Sequence, residues 1–147
     1  MRLLGHDLKE TTIGDLVRAR AVLGDKPLLW VDDDVLTYRD AHESSDRYAN
    51  ALAALGVAKG DVVATYAYNS IDHVRIWFAC AKLGAIWAPV NVSLRAADLE
   101  CTLRDTSAKV FILDENLPAR RIAASSRPAT QIGRGRWIGW GSNLTFE

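Results

Sequence analysis

Apolar and polar positions alternate along this chain with a period that changes several times, and each change marks a new element. In "TTIGDLVRARAVLG" Ile13, Leu16 and Val17 share one helical face. Thr12 stands ahead of them with Asp15 three residues on, a capping-box-like start, and Gly24 closes the element. "PLLWVDDDVLTY" carries two β-prone runs around Asp32–Asp34, which predicts a hairpin with a solvated acidic turn. Thr37 is the next predicted cap, with Asp40 at the third helical position. Ala41, Ser45, Tyr48, Leu52 and Leu55 then recur at spacings of 4, 3, 4 and 3 until Gly56 stops the helix.

From residue 61 the pattern turns to short, continuous apolar runs. "DVVATYAYN" has the length and composition of a parallel strand covered on both faces. Ser70 caps a helix in which Ile71, Val74, Phe78 and Ala81 share a face, while Trp77, Ala79 and Cys80 make it apolar almost all round. Gly84 lets the chain reverse into "AIWAPV", a strand with its proline at the end because proline cannot donate to a ladder. "RAADLECTLRDTS" predicts a fourth helix with Ala96, Leu99 and Leu103 inward, and "KVFILDE" a final buried strand. Strand, helix, strand, helix, strand is the alternation of a parallel, helix-covered sheet with right-handed crossovers. The expected fold is therefore α/β, with an N-terminal helix and β-hairpin preceding the sheet. Asn91 falls at the carboxyl end of a parallel strand, where open α/β sheets place ligands.

Composition sharpens the organisation. The 147 residues have no net charge, which hides an asymmetry. Up to Leu117 there are 13 Lys and Arg against 17 Asp and Glu; from Pro118 there are five arginines and one acid. No lysine follows Lys109. The periodicity fades at the same point, so the expected division is an ordered part, 1–117, and an irregular basic tail, 118–147. No run of roughly 18 apolar residues suggests a membrane span, and "MRLLGHDLKETT" lacks the length and cleavage site of a signal peptide, so a cytoplasmic location is expected. Cys80 and Cys101 lie 21 positions apart, fit no zinc spacing, and read as reduced, buried thiols.

Four stretches, taken together, resemble the adenylate-forming (AMP-binding) superfamily of acyl-CoA synthetases, luciferases and peptide-synthetase adenylation domains. "LTYRDA" resembles its first core motif and "GVAKGDVVATYAYNS" the segment that follows. "CAKLGAIWAPVN" resembles the second core motif, and "LRAADLECTLRDTSAKVFILDE" the helix and strand after it. The cover runs from Thr12 to Leu117 in the family's order and spacing, and the Pro-x-Asn ending leans toward fatty-acid or related acyl-CoA ligases. The resemblance implies a two-step reaction: ATP and a carboxylate give an acyl-adenylate and pyrophosphate, then coenzyme A takes the acyl group and AMP leaves. It implies ATP, magnesium and coenzyme A for the full-length family. Its phosphate-binding Gly/Ser/Thr loop ending in lysine and its catalytic lysine are not matched anywhere in these residues; "GRGRWIGWGS" has glycines but no such run. The span corresponds to roughly the first quarter of such an enzyme, so no catalytic residue and no bound cofactor is expected for it alone.

The resemblance places the turn after Pro89 near the coenzyme A channel, making Asn91, Val92 and Ser93 candidate contacts. The plainer reading of that turn is a strand-to-helix connection with Ser93 as a cap. Arg121 is a candidate because some acyl-CoA synthetases present an arginine there to the coenzyme A nucleotide. His73 reads as a hydrogen-bonded core or edge histidine, Asp61 as a turn residue, and Trp77 and Trp87 as core side chains or the border of an acyl pocket. Asp32–Asp34 read as a turn, not a metal site.

Two accounts of the tail stay open. Either the coding sequence leaves the ancestral frame near residue 117, or the tail is a selected basic-aromatic segment. Two Arg-Gly steps are too few to specify RNA binding, and no nucleic-acid partner is expected. The leading expectation is the N-terminal portion of an AMP-forming fatty-acid or acyl-CoA ligase, inactive alone. The other is a non-enzymatic ligand- or partner-binding module. Its partners would be a complementing chain or another copy, paired through an open sheet edge, for which "KVFIL" is the predicted strand.

Overall fold

Three hydroxyls begin three helices. Thr12, Thr37 and Ser70 accept the N–H of Asp15, Asp40 and His73 at 3.1, 3.1 and 3.2 Å, in the extended backbone conformation of an N-cap. The structure, a computed structural model, describes residues 2–3, 6–7, 12–94, 96–114, 117 and 136–140. Arg121 lies outside the described residues.

The elements run β1 (Arg2–Leu3), β2 (His6–Asp7), α1 (Ile13–Arg20), a 3₁₀ turn (Ala21–Leu23), β3 (Pro27–Val31), β4 (Asp34–Thr37) and α2 (Tyr38–Ala54). They continue with β5 (Val62–Tyr66), α3 (Ile71–Leu83), β6 (Ile86–Pro89), α4 (Ala96–Thr106), β7 (Val110–Asp114) and β8 (Arg136–Trp140). The expected hairpin is β3–β4, paired antiparallel, and Asp32 in its turn takes a positive φ of 52°, a conformation aspartate tolerates better than most residues. Strands β6, β5, β7 and β8 form one parallel sheet in that order.

Period-two alternation divides the sheet's side chains between two layers. Val63, Val110 and Ile112 face α2 and α3, packing with Leu52, Ile76, Ala79 and Cys80. Ala64, Tyr66 and Phe111 face α4, packing with Leu99 and Leu103. A third cluster, centred on Leu36, Ala41 and Phe78, fastens the hairpin and α1 to the outside of α3. Helix α3 is therefore enclosed by the sheet, α2 and α1, as its all-round apolar composition predicts. It ends on Gly84 in the left-handed conformation (φ 69°), and the Ala85 N–H returns to the Cys80 carbonyl at 2.9 Å.

Four expectations need correction. Cys101 is exposed, on the outer side of α4. Ile13 and Leu16 are 45% and 41% exposed, because α1 buries Gly14 and Val17 and leaves these two side chains over an open groove. "KVFIL" is not an edge: β7 is hydrogen-bonded to β5 on one side and β8 on the other. And the segment after 117 contributes β8, parallel to β7 with Phe111 opposite Trp137. Its pairing with β7 identifies it as a strand. Among the described residues no helix is long and apolar enough to cross a membrane.

Gly14 marks the tightest helix contact. A β-carbon there would lie 2.9 Å from Lys82 Cα and 3.0 Å from the Ala81 carbonyl oxygen, both backbone atoms of α3 that cannot step aside. Gly14→Ala should thus push α1 outward and destabilise the chain by about 1–3 kcal/mol. Urea denaturation measures this, and unchanged stability would show that α1 is not held by that contact.

Candidate functional site

The carboxyl ends of β5 and β6 splay around a pocket of about 410 Å³, walled by the loop after β5 (Ala67, Asn69), by Pro89 at the end of β6, by Asn91 and Val92 beyond it, and by His73 from α3. Strand geometry sets its depth. The Val90 N–H still bonds the Thr65 carbonyl at 2.8 Å, so β6 keeps its register one residue past the strand before the chain turns. The strand order reverses between β5 and β7, the usual ligand crevice of an open α/β sheet. The pocket lies one strand over, on the β5–β6 side.

The turn after Val90 is braced twice. The Asn91 side-chain oxygen accepts the Ser93 N–H at 2.8 Å, and the Leu94 N–H closes onto the Asn91 carbonyl at 3.0 Å. Below it, the buried Tyr66 hydroxyl lies 3.0 Å from the Val92 carbonyl and 2.8 Å from that of Leu94. A phenol has one proton for the two carbonyls, and either arrangement ties the turn to β5. Of the residues singled out from the sequence, Asn91 and Val92 reach the pocket and Ser93 sits beside it.

His73 lines the pocket, and two further polar side chains stand behind it. Thr65, fully buried, has its Oγ1 2.7 Å from His73 Nε2 and receives the Trp87 indole N–H at 3.1 Å. The His73 ring meets the Trp87 ring edge-on at 5.2 Å between centroids, and Trp87 stacks in turn on Trp77 at 5.9 Å. His73 is thus a hydrogen-bonded buried histidine, as read from the sequence, but it is also a pocket wall, which helix periodicity does not reveal. Burial pulls its pKa below the usual 6.5, with the nearby Asp114 carboxylate opposing. The sequence signal was present: Thr65 is the one polar residue in "VVATY", and a buried polar residue in a covered strand must have a partner. Trp77, by contrast, lines a separate apolar groove of about 350 Å³ with Ile13, Leu16, Leu28 and Phe78.

A neutral buried imidazole makes stability depend on pH with a definite sign. Unfolded His73 titrates near 6.5 and the folded group lower, so between the two values the unfolded chain holds more protons. His73's contribution is fully present above about pH 6.5 and is lost as pH falls through that window. Denaturation at a series of pH values should show a steeper acid loss for the wild type than for His73→Phe. Identical slopes would mean that His73 is not buried neutral.

With this geometry in place, comparison with known proteins is informative. The family model described as AMP-binding enzyme matches residues 16–136. A long-chain-fatty-acid–CoA ligase of Mycobacterium tuberculosis is 36% identical over 103 residues, 68% of this chain and 20% of that protein. A medium/long-chain-fatty-acid–CoA ligase of the same organism is 39% identical over 116 residues, 78% of this chain and 19% of that protein. The chain thus spans about a fifth of the length of these curated relatives. Among solved structures, a Mycobacterium tuberculosis fatty acyl CoA synthetase superposes with a TM-score of 0.79 at 33% identity, covering 91% of this chain and 27% of that one. The N-terminal domain of FACL13, also from Mycobacterium tuberculosis, gives 0.78 at 34% identity, covering 88% of this chain and 34% of that one.

Proposed function

The chain belongs to the AMP-binding enzyme family, and from that premise we propose that its residues supply the coenzyme A side of an AMP-forming acyl-CoA ligase without carrying out adenylation themselves. The observation that carries the proposal is the Asn91–Ser93 turn. It is pinned from within by Asn91 and from below by Tyr66, and it borders a pocket at the carboxyl ends of parallel strands. A rigid turn at such an opening is suited to hold a ligand, because little ordering remains to oppose binding.

In the family reaction the carboxylate oxygen attacks the α-phosphorus of ATP and pyrophosphate leaves. The thiol sulfur of coenzyme A then attacks the acyl carbon, and AMP leaves with the C–O bond electrons. The first step needs dense positive charge around the phosphates, and electrostatic stabilisation of that kind is usually the largest catalytic contribution. These 147 residues contain no Gly/Ser/Thr loop ending in lysine. Among the described residues no group of three His, Cys, Asp or Glu side chains converges. The adenylation apparatus would come from elsewhere, as further sequence or as a complementing chain, with 1–117 as the AMP-binding portion and 118–147 as a basic tail. Arg121 remains a proposed contact to the coenzyme A nucleotide, together with Asn91, Val92 and Ser93.

Two measurements test this. The purified 147-residue chain, free of host ligase, should show no ATP–pyrophosphate exchange with any carboxylic acid; carboxylate-dependent exchange above a buffer blank would overturn the proposal. In calorimetric titration the same chain should bind coenzyme A, and Asn91→Ala, which frees the Ser93 N–H, should weaken that binding roughly three- to tenfold. Equal affinity for the two proteins would remove the turn from the site.

A further inference from the structure

The three polar groups behind the pocket can share protons in only one satisfying way. An indole nitrogen is a donor and never an acceptor. Trp87 therefore donates to Thr65 Oγ1, and the Thr65 hydroxyl proton has to go elsewhere. Thr65 is fully buried, and among the described residues its hydroxyl has one other neighbour, His73 Nε2 at 2.7 Å. Were Nε2 protonated, both rings would donate to the same oxygen and the hydroxyl proton would point at nothing, a costly arrangement in a dry interior. The chain of donation therefore runs Trp87 to Thr65 to His73, ending on an unprotonated Nε2. In a neutral imidazole the proton then sits on Nδ1.

Nδ1 is the nitrogen left for the pocket. His73 is 9% exposed and lines the pocket, while among the described residues no hydrogen bond reaches Nδ1. The neighbouring Asn91 adds a second donor, because its side-chain oxygen is spent on the Ser93 N–H and its amide N–H₂ is not. A pocket that offers neutral donors, has no acidic or basic residue besides the neutral His73 in its lining and is backed by tryptophan suits an uncharged acceptor.

We infer that His73 is locked as its Nδ1–H tautomer by the Trp87–Thr65 relay and acts as the pocket's hydrogen-bond donor to a neutral carbonyl, of amide or thioester type, on the bound ligand. Thr65 is then a positioning residue, acting through His73 and touching no ligand. The identification of the carbonyl rests on the coenzyme A reading above, since the pantetheine arm is a chain of amides; the tautomer does not.

The test separates the two. In the ¹⁵N-labelled 147-residue chain at neutral pH, ring nitrogen spectra should show His73 Nδ1 protonated and Nε2 bare. Thr65→Ser should keep that pattern, and Thr65→Val should give a tautomer mixture. A protonated Nε2 in the wild type overturns the inference whatever the ligand. With N-methylacetamide as a minimal carbonyl probe and acetate as its charged counterpart, only the amide should move the Nδ1 proton signal. A response to acetate alone, or to neither, overturns the neutral-carbonyl assignment. Pantetheine should bind His73→Phe about tenfold more weakly than wild type. If coenzyme A and pantetheine bind and His73→Phe binds them equally well, the inference fails while the coenzyme A reading stands. If neither binds but the amide does, the coenzyme A reading fails and the donor assignment stands.

Discussion

A helix packed between a sheet and two other helices has little water to satisfy its polar side chains, and the arrangement of α3 follows from that constraint. Lys82, Asp72 and His73 each find a fixed partner on another element, while Arg75 pairs within the helix to Asp72 and leaves its buried Nε without a partner among the described residues. Lys82, whose side chain is 4% exposed, places its ammonium 2.7 Å from Asp46, 2.9 Å from His42 Nδ1 and 2.8 Å from the His42 carbonyl, three acceptors for three protons. Burial pulls its pKa down, and the Asp46 carboxylate works against that pull. Asp72 takes the Tyr48 hydroxyl at 3.0 Å and Arg75 at 2.7 Å. His73 finds Thr65. These bonds set the rotation of α3 about its own axis, which a uniformly apolar surface could not do, because hydrophobic contact is non-directional.

That rotation has consequences at both ends of the helix. Near its carboxyl end it brings the Lys82 backbone within reach of Gly14, so α1 seats closely there. Near its amino end it turns His73 toward the opening between β5 and β6. The same polar pairing that satisfies the buried helix therefore also builds the back wall of the pocket. The opposite layer does parallel work: Tyr66, whose ring packs in the α4-side core, sends its hydroxyl up to the 92–94 turn. The pocket is thus held by one polar anchor on each face of β5.

The chain superposes on about a third of the N-terminal domain of FACL13, and its curated relatives are about five times the length of the span matched. The exposed apolar groove under α1 and the β6 edge, where Ile86 is 54% exposed, are surfaces of this span that its described residues leave uncovered.

Much of this was legible from residue order. Caps at Thr12, Thr37 and Ser70, the stop at Gly84 and the two-sided apolar strands are local signals, since each depends on neighbours within four or five positions of the chain. The motif order around "CAKLGAIWAPVN" was enough to identify the family. Tertiary structure decided what depends on partners far along the chain. Ile13 and Leu16 have a core-facing period but no core above them, and Cys101 falls on the outer side of α4. "KVFIL" became an interior strand because a five-residue segment after 117 bonds to its free edge. Likewise nothing in the sequence around His73 reveals its role. Its proton is placed by a threonine eight residues earlier and a tryptophan fourteen residues later, and only the parallel register of β5 and β6 brings those two together.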